Sequence, residues 1–432
     1  MSVLKTNSKT TTKYLGLLLA WLFTLTLALP SEAQVANSEI EKENDSTAVD
    51  SLWSDTAVVK NDTLPWPRNV QTAIDALLRD DMFQTSQVGL MIYDLDADSA
   101  IYRHNERQLM RPASTLKVIT AITALDRLGG SYQFKTELCY TGKVDSCVLR
   151  GDVYCVGGFD PRFNSDDLRA LVEALRKMGV DTIRGNVYAD RTMKDRDSLG
   201  EGWCWDDDNP TLSPLLIGRK DLFMDRFSAE LRKAGIVVTG VFGEAPKPQD
   251  AYCIVSRFHT IDQVLMRMLK QSDNLYAESM MYQVAASGGV KHATAANART
   301  HVKKLVKKLG LNADNYKFAD GSGLSLYNYV SPELLVMLLR YAYRTSEIYS
   351  NLYPALPVAG VDGTLEKRMK GPYTKGNVHA KTGTLTGVSS LAGYCRAANN
   401  HLLAFCIINQ GVMKNADGRG FQDRVCTALC QP

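Results

Sequence analysis

Apolar positions along this chain of 432 residues keep one period for a stretch, then switch to another. Val88-Gly-Leu-Met-Ile-Tyr-Asp-Leu-Asp96 is an apolar run ending in acidic residues, which predicts a strand leading into a turn. Residues 115–128 carry Leu116, Ile119, Ile122 and Leu125 at three-residue steps, which predicts a buried helix stopping at Gly129-Gly130. Between residues 134 and 257 the texture changes. Short strands at 148–156, 185–189 and 236–242 alternate with amphipathic helices at 166–178 and 224–234, and Pro246-Lys-Pro248 lies near the exit. Helical periodicity returns at 261–286, 294–309 and 332–343. Strands at 388–395 and 402–409 follow, then a final helix over 418–429. This order predicts an α+β domain built from both ends of the chain, residues 66–135 and 256–432, with a smaller α/β accessory domain inserted at 136–255.

The amino terminus has a different character. Lys5, Lys9 and Lys13 precede an apolar run of about 16 residues, shorter than the roughly 20 that span a bilayer. Pro30 breaks the run, and Ser31-Glu-Ala33 places small residues at the −3 and −1 positions of a cut before Gln34. Residues 1–33 are therefore expected to be a cleavable secretory signal, and the mature protein periplasmic or otherwise extracytoplasmic. Residues 34–65 are rich in Ser, Thr, Asp, Glu and Asn and have too little apolar area to offset chain entropy, so a solvated tether is expected. Attachment to wall or membrane and oligomeric state are open at this stage.

Composition narrows the function classes. Fifty Lys plus Arg against 47 Asp plus Glu lack the strong basic excess of a dedicated nucleic-acid binder. Nine cysteines all lie beyond the expected signal. Export permits disulfides, and an odd count leaves at least one thiol without a partner in the chain. The pattern suggests small buried residues with at most one bridge among Cys139, Cys147 and Cys155. Cys426 and Cys430, four apart on an expected helix, are poorly placed to bridge. No Cys-x-x-Cys or His-Glu-x-x-His occurs, so neither a metal site nor a cofactor is expected.

Three short motifs carry the chemistry. In Ser114-Thr-Leu-Lys117 the first and last residues share a helix face. A serine hydroxyl needs a neighbouring base, and a buried lysine amine serves once its pKa falls toward neutrality. Alone this pattern says little, because Ser2-Val-Leu-Lys5 in the signal repeats it. Ser272-Asp-Asn274 offers a second hydroxyl to relay a proton and an amide to grip a peptide carbonyl, although Ser and Asn also serve as ordinary helix caps. Lys381-Thr-Gly-Thr384 opens an apolar strand. Gly383 lets a substrate backbone lie close, Thr384 can present its N–H to an oxyanion, and Lys381, Thr382 and Thr384 can hold a carboxylate. In this order the three form the Ser-x-x-Lys, Ser-Asp-Asn, Lys-Thr-Gly set of penicillin-binding proteins and class A β-lactamases.

The chain resembles the D-alanyl-D-alanine carboxypeptidase/endopeptidase family of class C, low-molecular-mass penicillin-binding proteins (peptidase family S13). Asp320-Gly-Ser-Gly-Leu-Ser325, Pro357-Val-Ala-Gly-Val-Asp-Gly-Thr364, Tyr154-Cys-Val-Gly-Gly-Phe-Asp-Pro161 and Gly202-Trp-Cys-Trp-Asp-Asp207 resemble further family segments. The resemblance implies a penicillin-binding, serine β-lactamase-like transpeptidase domain. It also implies acylation of Ser114, Lys117 as base, Ser272 and Asn274 as relay and positioning groups, and Lys381 as electrostatic support. Thr382 and Thr384 would hold the terminal carboxylate, and Asp207 would contact the diamino-acid side chain. Peptidoglycan stem peptides and β-lactams are the implied partners. The sequence departs from the family at Leu326, where the family commonly has Arg, and its insert is short enough for one accessory module.

Three alternatives make different demands on the sequence. A class A β-lactamase would use a deacylating Glu, and no Glu-x-x-Leu-Asn occurs. A Ser-His-Asp hydrolase would show a Gly-x-Ser-x-Gly elbow, which is also missing, and His379 beside Lys381 reads as an exposed residue flanking a strand. A non-catalytic penicillin sensor would have inert motifs, whereas every side chain the chemistry needs is present.

Overall fold

The structure, a computed structural model, describes Val58, Lys60 and residues 64–205 and 208–432. The expected signal, nearly all of the expected tether, and Asp207 lie outside the described residues.

Helix α1 (Arg68–Leu77) leads to a hairpin of β1 (Gln87–Asp94) and β2 (Ser99–His104), and a 3₁₀ turn (Ala113–Thr115) opens α2 (Leu116–Leu128). Next come β3 (Gln133–Tyr140), β4 (Lys143–Asp145), β5 (Val148–Arg150), β6 (Val153–Val156), α3 (Ser165–Lys177), β7 (Thr182–Ile183) and β8 (Val187–Asp190). They are followed by α4 (Phe223–Lys233), β9 (Val237–Val238), β10 (Phe242–Glu244) and β11 (Tyr252–Thr260). The helices α5 (Ile261–Lys270), α6 (Asn274–Ala286), α7 (Ala295–Lys308), α8 (Pro332–Arg344) and α9 (Ser346–Ala355) precede β12 (His379–Leu385), β13 (Val388–Arg396), β14 (Leu402–Gln410) and α10 (Asn415–Cys430).

The main sheet runs β12-β13-β14-β1-β2, antiparallel throughout, so strands from both ends of the chain complete one another. Strands β13 and β14 are buried along almost their whole length, and β14 accordingly reads as a continuous apolar run from Leu402 to Ile408 rather than as alternation. One face packs on α1 and α10 through Val70, Ile74, Phe405, Phe421 and Val425. The other face meets the central helices through Met91, Cys406, Ile408, Leu335 and Ile119. Among the described residues no helix is long and apolar enough to cross a membrane.

The chain between β3 and β11 forms two further sheets, β10-β8-β6-β3-β11 and β4-β5-β7-β9. Strands β6, β8 and β10 are parallel, joined by α3 and α4 as helical crossovers. This region packs around its own core, which includes Leu138, Leu171, Leu175, Val187, Phe223 and Phe227.

Several expectations need correction. Residues 148–156 are two strands in different sheets. At Gly151 a Cβ would fall 2.0 Å from the Thr141 carbonyl oxygen, so the chain bends there against its neighbour. The 236–242 strand divides in the same way at Gly240, whose Cβ position is 2.2 Å from the Gly185 carbonyl oxygen. The 261–286 helix is broken by Ser272 in the left-handed region (φ 57°). The sequence reading did not include α9, a short helix carrying Pro354. The disulfide joins Cys139 to Cys253, because these two face each other directly in the β3–β11 register. Cys147 and Cys155 are free thiols, as are Cys426 and Cys430.

Candidate active site

Ser114 sits in the 3₁₀ turn ahead of α2. The Thr115 and Ser390 hydroxyls both donate to the Pro112 carbonyl at 2.6 Å, which pins the turn to β13. Ala113 adopts a left-handed φ of 48°, and Gly323 presses so close that a Cβ would lie 1.9 Å from the Ala113 carbonyl oxygen. The turn leaves Ser114 partly exposed, while Lys117, one helical turn on, is fully buried.

Lys117 Nζ lies 2.8 Å from Ser114 Oγ, 2.7 Å from Asn274 Oδ1 and 2.8 Å from the Ser322 carbonyl oxygen. Burial pushes its pKa down to about 8, partly opposed by the negative charges of Asp320, Glu278 and Asp273. A neutral amine has two N–H donors and one lone pair. Donation to Asn274 and Ser322 leaves that lone pair directed at the Ser114 hydroxyl, the arrangement a general base requires. Glu278, one turn after Asn274 on α6, accepts from the backbone N–H groups of Gly321 and Ser322 and so holds the Ser322 carbonyl in place. Burial and the nearby Asp320 push the Glu278 carboxyl up to about 8. Asp320 in turn accepts from the Gly323 and Ser325 N–H groups, Asn328 and the indole N–H of Trp203.

The break between α5 and α6 delivers the second motif. Asp273 caps α6 by accepting from the Leu275 N–H, and its carboxylate is gripped by Arg219, from the region between β3 and β11, and by Arg267 of α5. Burial raises the Asp273 pKa, but the two guanidinium groups outweigh it and hold the carboxyl below its usual range. With Asp273 fixed, Ser272 points one way and Asn274 the other. Ser272 Oγ accepts from Lys381 Nζ at 2.8 Å, and Asn274 Oδ1 from Lys117.

Lys381 is fully buried, and its Nζ also donates to the Thr382 carbonyl at 2.6 Å. Burial, then the proximity of Lys117, lowers its pKa well below the ordinary value. An arriving carboxylate would restore its charge. Gly383 is where the third motif meets the first. A Cβ there would come 3.0 Å from the Ser114 nitrogen and 2.2 Å from Ser390 Oγ. Strand β12 is the edge of the sheet. The Ala380 N–H points outward to the Pro357 carbonyl at 2.9 Å. Strand N–H groups alternate sides, so those of Thr382 and Thr384 face outward as well. The Thr384 N–H thus faces the open side of β12, next to the Gly383 position that approaches the Ser114 nitrogen.

A family model described as the D-Ala-D-Ala carboxypeptidase 3 (S13) family matches residues 70–215 and 218–430. The chain belongs to this family. This S13 chain is 27% identical over 406 residues to D-alanyl-D-alanine carboxypeptidase DacB of Haemophilus influenzae, covering 74% of this chain and 84% of that one. It is 27% identical over 441 residues to the D-alanyl-D-alanine carboxypeptidase of an Actinomadura species, covering 78% and 80%. Its fold matches the crystal structure of penicillin-binding protein 4 (dacB) from Haemophilus influenzae with a TM-score of 0.75 at 25% identity, over 81% of this chain and 97% of that one. A second structure of that Haemophilus protein, complexed with a novel β-lactam, matches with a TM-score of 0.69.

Within the S13 frame, Ser114, Lys117, Asn274, Ser272, Lys381 and Gly383 converge on one groove. Thr382 lies half-buried and Thr384 exposed along its edge. The sequence reading missed Glu278 and the Ser322 carbonyl. A signal existed for the former, since an acid four residues after Asn274 on a helix lies on the same face. His379 differs from the reading: it is half-buried and stacked on Tyr353 at 4.2 Å between centroids, and burial lowers its pKa. Leu326 is exposed beside Tyr327, whose ring packs on Gly202 next to Trp203.

Proposed function

We propose that this S13 chain is a serine D-Ala-D-Ala carboxypeptidase that works through an acyl-enzyme on Ser114, acts on peptidoglycan stem peptides outside the cytoplasmic membrane, and is inhibited by β-lactams. The observation that carries the assignment is a buried lysine amine in hydrogen-bond contact with the hydroxyl of a serine that is only partly buried. Neutral Lys117 takes the Ser114 proton as Oγ bonds to the carbonyl carbon of the penultimate D-alanine. The oxyanion forms between the N–H groups of Ser114 and Thr384. The C–N bond then breaks, and the leaving amine takes a proton from Lys117 by way of Ser272, so D-alanine departs and an ester remains on Ser114. Water adds to that ester with the same base, freeing the shortened peptide. Lys381, Thr382 and Thr384 bind the terminal carboxylate, and Asn274 positions both Lys117 and the peptide. Cleavage of D-Ala-to-diamino-acid cross-links follows the same steps with a larger leaving group, and Asp207 is assigned to contact the diamino-acid side chain.

The region between β3 and β11, with its own core and its grip on Asp273 through Arg219, acts as the accessory domain. Residues 1–33 serve as the export signal, with the periplasm or wall space as the destination. The test is release of free D-alanine from a pentapeptide ending in D-Ala-D-Ala, measured alongside nitrocefin turnover. Stoichiometric D-alanine release with nitrocefin turnover below about one per second is expected. Fast nitrocefin turnover without D-alanine release would instead make the chain a β-lactamase.

A further inference from the structure

We infer that Thr364 is a specificity-determining residue for the leaving end of the substrate: with Thr382 it forms a two-hydroxyl grip that selects a free terminal carboxylate. This rests on the carboxypeptidase reading and deepens it.

The outer edge of β12 is only partly covered. Residues 357–359 add themselves to that edge, with the Ala380 N–H donating to the Pro357 carbonyl and the Ala359 N–H to the Val378 carbonyl, both at 2.9 Å. The edge is therefore occupied through Ala380 and begins to open at Thr382. An extended peptide lying along β12 past the nucleophile meets the 357–359 segment at once, so its main chain must end there. That segment is held firmly. Lys270 Nζ donates to both Asp362 carboxylate oxygens (2.8 and 2.7 Å) and to the Leu356 carbonyl (2.6 Å), and the Val358 N–H donates to Asp362. Gly363 turns with φ 59°, at a point where a Cβ would come 2.7 Å from the Lys270 carbonyl oxygen.

The turn delivers Thr364, an exposed residue, with Oγ1 2.8 Å from Thr382 Oγ1. Two hydroxyls in contact satisfy one another with one hydrogen and leave the other free. A carboxylate accepts only, through two oxygens, and can take a hydrogen bond from each hydroxyl at once. A carboxamide or ester at that point loses the charge that strengthens both bonds.

The experiment compares wild type, Thr364→Val and Thr364→Ser in two assays. One is KM and kcat for D-alanine release from a peptide ending in D-Ala-D-Ala. The other is the second-order rate of acylation by benzylpenicillin and by its methyl ester. Loss of one bond to a charged group corresponds to about tenfold or more. Thr364→Val is expected to raise KM and to slow benzylpenicillin acylation by that factor, to leave methyl-ester acylation within about twofold, and to be rescued by Thr364→Ser. Equal slowing of both penicillins, or no slowing of either, would overturn the inference. Wild type that is acylated by penicillin but releases no D-alanine would instead overturn the substrate reading, and the penicillin pair would still decide the role of Thr364.

Discussion

Two buried lysines lie at the centre of this site, and the cost of burying a charge explains why they are useful there. Lys117 is removed from water, and that burial, only partly offset by the charges of Asp320, Glu278 and Asp273, lowers its pKa from the ordinary 10.5 to about 8. Its basic form is the neutral one, so that form grows as pH rises and is lost as pH falls through about 8. The second-order rate of acylation should therefore rise tenfold per pH unit below that value, level off above it, and at pH 6 stand about a hundredfold below the plateau. A stopped-flow pH series with a chromogenic β-lactam measures this, and a flat profile between pH 6 and 8 would remove Lys117 as the base. The Ser114–Lys117 pair was legible because three residues on a helix is a fixed distance. The supporting shell of Glu278, Asp320 and the Ser322 carbonyl was not, because backbone carbonyls leave no mark in sequence and a buried acid looks like any other Glu until the fold surrounds it.

Among the elements, the junctions do more for the chemistry than the regular stretches. Long amphipathic helices such as α3 and α8 were legible to within a residue or two. The break between α5 and α6 was hidden, because the apolar period runs on across it. That break is held open by Asp273 between Arg219 and Arg267, and it aims Ser272 and Asn274 at two different lysines. Removing the carboxylate leaves Ser272 in its left-handed conformation without that anchor. Asp273→Asn should cost about 1–3 kcal/mol of stability, since both guanidinium groups are partly exposed and screened, and should slow acylation by about tenfold. Arg219→Ala should slow acylation by a smaller factor with little loss of stability. Thermal unfolding and acylation rates on the same preparations separate the two effects, and unchanged acylation in both variants would mean that the region between β3 and β11 does not position the motif. Short strands were the least legible elements: β5 and β6, or β9 and β10, read as single strands because nothing local announces that a glycine must clear a neighbouring carbonyl oxygen.

At the scale of the molecule, β1 and β2 join β12 to β14 in one sheet, so the groove forms only when the two ends of the chain meet. The α+β class could be read from the order of periodicities. The division of the strands between β3 and β11 into two sheets, and the pairing of Cys139 with Cys253 across residues far apart in sequence, could not, because strand register is set by tertiary packing rather than by local pattern. The whole assembly converges on one covalent event, and intact-protein mass spectrometry after incubation with benzylpenicillin tests it most directly. Wild type should gain the mass of one penicillin, mapped by peptide digestion to Ser114, and Ser114→Ala should gain none while unfolding at the same temperature. A penicillin adduct on the Ser114→Ala variant, or on a different residue of wild type, would contradict the assignment.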